Sequence, residues 1–407
     1  MAITGIRNTA NFGADERPKN WREGLFRMEP NGMMPLLGLT SALKERQVDD
    51  PEFYWWEKDT PNQRVTIGTA IANTTDTTIA LSSGALGLKA GDVLLIENTG
   101  EQVRITADPT TDTSITVARG HAGTTKAALN IATSGVNPNM LVIGHAYEEN
   151  SEAPTGTQYD GSKRYNLCGI FRQTYDFSKT AVNTKLRTTE QVKEAKLDCA
   201  NLIGMTVERA MLLGRRWEGT LNGNPVRNMN GIEAQIDGAN VKTVTTDYAS
   251  GLTMEGLEEY LFQAFRYGAN EKMAICGNKA LLTIQQVIRK NSQYQIQNGL
   301  KEYGMNVTRL TCPFGELVFK THPLLNQVPG GTNTTAYYGM DSWCYILDMA
   351  CIEYTYLRNR DIKHEENLQL PGQDGLKNGF IGEVSVALRN PKKHFLLKNL
   401  VKAAKDA

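Results

Sequence analysis

Residues 188–219 constrain this chain more than any other stretch. At helical spacing, Val192, Ala195, Cys199, Leu202, Ile203, Val207, Ala210, Met211 and Gly214 fall on one face. Glu190, Lys193, Glu194, Asp198, Asn201, Glu208 and Arg215 fall mostly on the other. Thr188 with Gln191 three residues later forms a capping box, no proline interrupts the run, and Gly219 supplies a left-handed residue to end it. The spacing predicts one helix over 188–218, roughly 45 Å long at ~1.5 Å per residue. An amphipathic rod of that size is a backbone onto which a sheet and other helices pack. The Leu202/Ile203 face is expected against a sheet containing 381–388.

With 407 residues the chain can bury a large core and divides into two or three domains. Lys plus Arg is 44 and Asp plus Glu is 44, which argues against a dedicated nucleic-acid binder, since such affinity comes largely from phosphate neutralisation. The first ten residues lack the charged-then-apolar pattern of a signal peptide, and no apolar run approaches membrane-spanning length. Cys168, Cys199, Cys276, Cys312, Cys344 and Cys351 are scattered among apolar neighbours with no Cys-x-x-Cys pair. Buried free thiols in a reducing cytoplasm are expected.

Residues 1–50 are polar, with Pro18, Pro30 and Pro35 and only short apolar clusters, so they read as an extended arm that needs another surface. At 51–58 the texture changes: Phe53, Trp55 and Glu57 alternate with Tyr54, Trp56 and Lys58, which suits a strand covered on both faces. Residues 62–150 carry short candidate strands at 64–72, 77–81, 92–97, 102–106, 114–118 and 140–147, with Asn98-Thr99-Gly100 as a tight turn. Such a pattern describes a small barrel or sandwich. A longer strand, 165–175, returns the chain to the long helix. Beyond it, 222–240 reads as a Gly/Asn-rich connection with a strand-like centre at 231–236. Thr253 caps a helix to Tyr267 that Gly268 stops; a strand at 272–276 and a helix at 278–290 follow. A hairpin pairs 307–311 with 317–320, and strands are expected at 335–339, 342–347 and 352–357. Residues 361–379 read as loop, 381–389 as a strand and 394–401 as a final run. Strands and helices mix without βαβ regularity, which predicts an α+β fold.

Catalytic signatures are lacking: there is no G-x-x-x-x-G-K-[ST], G-x-G-x-x-G or G-x-S-x-G. His364-Glu365-Glu366 begins like a zinc-binding helix, but position 368 is leucine, so a second ligand is missing. The segment from Gly120 to Lys126 resembles a phosphate cradle only in its glycines; it follows a β segment and reads as a turn. His121, His145, His322, His364 and His394 have no ligand-like spacing. No catalytic residue, cofactor or metal is expected, and the chain is read as not an enzyme. A hydrolase or transferase with a β accessory domain is the competing class.

The order of parts resembles the major capsid protein fold of tailed bacteriophages: polar arm, aromatic strand, returning strand, long helix, α+β domain, closing strand. Trp55-Trp56-Glu57, 165–175, 257–268, 274–278, Phe314-Gly315-Glu316-Leu317-Val318, Gly382-Glu383, Arg389-Asn390-Pro391 and His394 carry the likeness. Residues 91–125 are similar to a β insertion seen in a branch of that family. The resemblance implies an N-terminal arm at 1–50, extended-loop strands at 51–61 and 151–176, and an inserted β domain at 62–150. It further implies a peripheral domain at 177–224 and 351–407 around the spine helix, and an axial domain at 225–350. It assigns Phe53, Trp55, Trp56, Tyr165, Arg172 and Arg358 to contacts between subunits. The implied function is a structural subunit that self-assembles, through hexamers and pentamers, into an icosahedral shell around double-stranded DNA. The implied partners are other copies of the chain, decoration, scaffolding and portal proteins, and DNA held by weak non-specific contact; no membrane is involved. The protein would reside in the virion and assemble in the host cytoplasm. A cellular nanocompartment shell of the same fold is the alternative.

Overall fold

The computed structural model describes residues 45–59, 64–129, 138–154, 156–184, 190–249, 251–290, 296–302, 305–326 and 339–401. Of the expected arm, only its last six positions fall among these, and the strand candidate 335–339 lies outside them except for Gly339. The chain divides into two units, Met1–Trp55 with Arg164–Ala407, and Trp56–Lys163.

In the first unit the long helix runs from Gln191 to Leu213. Thr188 of the expected capping box lies outside the described residues, and Glu190 stands at the N-cap without a side-chain hydrogen bond. The helix ends earlier than Gly219 because Gly214 meets another backbone: a Cβ there would sit 2.8 Å from the Met229 carbonyl oxygen. The Gly231 N–H donates to the Gly214 carbonyl at 2.9 Å and fixes that crossing. Cys199, Ile203, Val207, Met211 and Leu212 form the buried face. Ile203, Val207 and Met211 share a core with Val384, Val386 and Leu388 of strand Gly375–Leu388. Leu202 is a correction: it is 45 % exposed, one residue's rotation (about 100°) away from the face that packs.

The sheet under this helix has the order Glu45–Val48, Ile352–Leu357, Gly375–Leu388, Gly169–Ser178, with Lys363–Glu365 also pairing Gly375–Leu388. The expected long strand 165–175 is two strands. Ser162–Leu167 pairs with Glu52–Glu57 as a separate ribbon, whereas Gly169–Ser178 pairs antiparallel with Gly375–Leu388, from Gly169↔Val384 to Ser178↔Gly375. The break falls at Cys168, whose N–H donates to the Pro51 carbonyl at 2.8 Å. The expected loop 361–379 contributes the strand Lys363–Glu365 and the start of Gly375–Leu388. The expected strand at 231–236 is instead a turn of helix, Ile232–Gln235.

A second sheet of seven strands has the order Val241–Thr243, Phe395–Lys398, Cys344–Leu347, Glu271–Cys276, Gly315–Thr321, Met305–Cys312, Ile296–Glu302. Its central strands are apolar on both sides because both sides are covered. Met273 and Ile275 face the core shared with the long helix. Ala274 and Cys276 face a second core with Leu257 and Leu261 of helix Met254–Ala264 and Ile284 and Val287 of helix Asn278–Lys290. Thr253 caps the former helix by accepting from Gly256 N–H at 3.2 Å.

The second unit is a six-stranded β-barrel with strand order Arg64–Thr66, Asn139–His145, Asp92–Ile96, Gln102–Ala107, Ser114–Ala118, Thr78–Ala80. Hydrogen bonds from Gly68 N–H to the Ala80 carbonyl and from Ser82 N–H to the Thr66 carbonyl, both 2.9 Å, close the first strand onto the last. Ile67, Ile79, Leu94, Ile105, Val117 and Met140 fill its interior. Closure removes the unpaired edges that would otherwise invite association. The glycine-rich segment after strand Ser114–Ala118 is a turn, tied down by a buried bidentate pair: Arg119 Nε and Nη2 donate to Glu101 Oε1 and Oε2 at 2.7 and 2.6 Å. Glu101 also accepts from the Gly120 and Ala127 N–H groups at 3.1 Å each.

Candidate functional site

Burial sorts the six residues assigned to neighbouring subunits. Phe53 and Trp55 lie on the inner face of strand Glu52–Glu57, their rings stacked at 5.9 Å. They are 4 % and 8 % exposed and packed with Val48, Cys168 and Ala387 of the same chain. Neither is therefore open to a neighbour, contrary to the sequence expectation. The long helix covers one face of the main sheet, and these two aromatics cover Ala387 on the other. Trp56 points the opposite way and is 70 % exposed.

Tyr165 lies on the outer side of the ribbon and is exposed. Its ring centroid is 5.7 Å from that of Tyr54, and the Arg216 guanidinium carbon stands 3.8 Å above it. Arg216 Nη1 also donates to the Tyr165 carbonyl at 3.1 Å, which anchors the guanidinium beside the ring. Tyr54 donates its hydroxyl to the Glu52 carboxylate, and that bond above all pushes the phenol up to about 12.

Directly after Arg216 the chain forms a hairpin that sequence reading missed, Trp217–Leu221 with Asn224–Asn228. Asn222 and Gly223 make its turn at φ +51° and +79°. Trp217 and Leu221 are both exposed, and the indole of Trp217 lies over Gly219, where a Cβ would sit 2.4 Å from the ring. The Asn-Gly pair is itself a hairpin signal. A helix carried through Gly219 by its periodicity masks it.

Arg172 and Arg358 stand elsewhere. Arg172 is exposed on strand Gly169–Ser178, opposite Ile381. Arg358 follows strand Ile352–Leu357; its N–H donates to the Val48 carbonyl at 2.8 Å and its Nη1 lies 3.5 Å from Asp49 Oδ1, both side chains largely exposed. An ion pair so open to solvent contributes at most ~1 kcal/mol to the fold. Thus the structure joins Tyr165 to Tyr54 and Arg216, and it leaves Arg172 and Arg358 outside that cluster.

Buried polar bonds hold the base of this surface. Asn166 donates to the Asn230 and Val386 carbonyls at 3.0 and 2.7 Å and accepts from the Leu167 and Asn230 N–H groups at 2.8 Å each. Gln235 donates to the same two carbonyls at 2.8 and 3.2 Å and accepts from Leu388 N–H at 3.1 Å. Further along, His322 beside the seven-stranded sheet lies 2.7 Å from Glu208 of the long helix, both side chains fully buried. The Leu324 N–H donates to His322 Nδ1 at 3.2 Å, which leaves Nε2 to carry the proton toward Glu208. Among the described residues no group of His, Cys, Asp and Glu is placed to hold a metal ion. Exposed tyrosine, tryptophan and arginine on a rigid polar base suit protein contact, since those side chains are enriched at interfaces.

The model of the SU10 major capsid protein family matches residues 3–401 of this chain. The major capsid protein of Pseudomonas phage PaMx41 is 25 % identical over 386 residues, covering 92 % of this chain and 86 % of that protein. Among solved structures, the chain is similar to the capsid of a native GTA particle, at TM-score 0.46 and 9 % identity over 97 % of this chain and 98 % of that one. It is also similar to the SrpI encapsulin of Synechococcus elongatus, at TM-score 0.43 and 10 % identity over 61 % of this chain and 81 % of that one.

Proposed function

We infer the function from the family: this chain belongs to the SU10 major capsid proteins and is a structural component of a phage capsid. We propose that its copies assemble through hexamers and pentamers into an icosahedral shell around double-stranded DNA, in the host cytoplasm, and that it has no catalytic role. The near-complete family match carries this reading, and it favours the virus over a protein-cargo nanocompartment. The finer division follows the resemblance: an arm at 1–50, an extended loop built on the ribbon, an inserted domain at 62–150, a peripheral domain around the long helix and an axial domain at 225–350. Support for the inserted domain comes from the barrel's own closed hydrogen bonding and its own apolar core. Support for contact between subunits at the ribbon comes from exposed Trp56 and from the outward Tyr54, Tyr165 and Arg216 cluster. Scaffolding, decoration and portal proteins, and weak non-specific contacts to DNA, are the further partners.

Electron microscopy of the purified protein tests the reading. Closed icosahedral particles, carrying DNA when isolated from phage, are expected, and discrete monomers with turnover on a hydrolase substrate panel would sink it. Particles that enclose a single protein cargo and no nucleic acid would favour the nanocompartment. Trp56→Ser should reduce particle yield while leaving the unfolding midpoint of the free subunit unchanged.

A further inference from the structure

Two of the six buried cysteines stand directly opposite one another. Cys276 is the last residue of strand Glu271–Cys276, Cys344 is the first of strand Cys344–Leu347, and the two strands are antiparallel with Cys276 in register with Cys344. The next pair along is hydrogen-bonded, Gly277 N–H to the Trp343 carbonyl at 3.0 Å. Alternation of the antiparallel ladder therefore makes Cys276 and Cys344 a non-hydrogen-bonded pair, the kind whose Cα atoms approach to about 4.5 Å. That separation falls inside the range of about 4.4–6.8 Å that a disulfide spans. Both side chains enter the same apolar core, beneath helices Met254–Ala264 and Asn278–Lys290. Cys276 Sγ donates to the Lys320 carbonyl at 3.8 Å, and the neighbouring Cys344 thiol together with burial holds the Cys276 thiol well above its ordinary range. The other four buried cysteines have different neighbours: Cys199 and Cys312 donate to the Gln173 and Gly315 carbonyls, Cys351 lies by Asp348 and Lys393, and Cys168 packs with Trp55.

We propose that Cys276 and Cys344 are a poised dithiol which a small disulfide or diazene oxidant converts to a cross-strand disulfide. This rests on the capsid reading in one respect: a shell subunit folds among reducing thiols and then leaves the cell for oxidising surroundings. The exchange is balanced. One thiolate attacks a small disulfide, RSSR, forming a mixed disulfide and expelling one thiolate that takes up its proton. The second cysteine then attacks the protein-bound sulfur and expels the other, so two thiols and RSSR become one protein disulfide and two RSH. With a diazene, the N=N bond instead takes up the two electrons and two protons and becomes a hydrazine. Burial makes the reaction slow, and the position of both residues at strand ends, where local opening is least costly, makes it feasible in the folded chain. The bond would join neighbouring strands in the middle of the seven-stranded sheet.

The test uses the full chain, folded and reduced, and does not depend on shell formation. One sample is treated with diamide; a second is refolded from urea in a mixture of reduced and oxidised glutathione, where burial no longer protects the pair. Remaining thiols are then alkylated with N-ethylmaleimide in denaturant. The alkylated sites should fall from six to four in both samples, and trypsin should release peptide 273–279 linked to peptide 321–358. Because the larger peptide also holds Cys351, a Cys351→Ser variant should still give the link and a Cys344→Ala variant should lose it. The oxidised wild type should unfold at higher urea, and dithiothreitol should reverse the shift. Six alkylated cysteines after both treatments, or a bridge mapped to any other pair, overturns the proposal. The wild-type peptide map alone decides between these outcomes even if a variant fails to fold.

Discussion

Asn166→Ala is the sharpest probe of how the ribbon is held to the main sheet. Asn166 is fully buried and uses all four of its amide hydrogen-bonding positions. Truncation affects its partners unequally. The Asn230 and Val386 carbonyls keep Gln235 Nε2 at 2.8 and 3.2 Å, so each loses one of two donors. The Leu167 and Asn230 N–H groups lose the Asn166 carbonyl they donate to, and the buried ribbon base offers Leu167 no water in exchange. At about 1–3 kcal/mol for each buried donor left unmade, the two N–H groups alone predict a loss of about 2–6 kcal/mol. A double-mutant cycle sharpens the test, because adding Gln235→Ala strips both carbonyls at once. The pair should therefore cost more than the sum of the singles, by about 0.5–3 kcal/mol. Urea unfolding of the unassembled subunit, followed by tryptophan fluorescence and circular dichroism, measures all four species. The chain has two units, so the transition must be resolved by unit, and the barrel transition should not move. A single-mutant loss below about 0.5 kcal/mol, the size of a surface change, or strict additivity with Gln235→Ala, would refute the reasoning.

Three further outcomes are expected. Ile203→Ala should cost about 2–5 kcal/mol and Leu202→Ala under about 1 kcal/mol by urea unfolding, since Ile203 is buried against the sheet and Leu202 is largely exposed. Arg119→Met strands the buried Glu101 carboxylate and should destabilise the barrel by about 3–5 kcal/mol, with hydrogen exchange rising first across residues 117–129. Burial lowers the His394 imidazole from 6.5 to about 4, so between those values the unfolded chain binds the extra proton. Stability is then full above pH 6.5 and falls on acidification toward pH 4, by an amount on the order of 3 kcal/mol. His394→Gln should flatten that part of the urea-midpoint profile against pH.

What is legible in the sequence follows the range of the forces involved. Candidate strands at 92–97, 102–106, 114–118 and 140–147 fall within one or two residues of Asp92–Ile96, Gln102–Ala107, Ser114–Ala118 and Asn139–His145. There, alternation and turn residues act within a few positions of each other. Closure of the barrel through Gly68–Ala80 and Ser82–Thr66 depends on a curvature that no local pattern encodes. Periodicity identifies the long helix but misjudges its end, because Gly214 stops it by touching Met229 and Gly231, a contact set by the fold.

The candidate surface is harder to read for a related reason. Alternation correctly divides strand Glu52–Glu57 into two faces, but which face meets the chain's own core depends on partners distant in sequence: Val48, Cys168 and Ala387. The resemblance therefore credits Phe53 and Trp55 to a neighbour, whereas the chain's own core takes them. Tyr165 can be named, yet its binding context cannot, since Tyr54 and Arg216 lie 111 and 51 residues away and meet it only through the ribbon and the end of the helix. Asn166 gives no sequence signal at all, although it fixes the ribbon on which that surface stands. A polar residue in a polar-looking strand reads as solvated, and only the convergence of Asn230, Gln235 and Val386 shows that it is buried and satisfied. For a subunit of a shell this distinction matters mechanically. If the proposed contact at the ribbon holds, the outward aromatics would bear on a neighbour through a strand that the buried Asn166 amide ties to the main sheet.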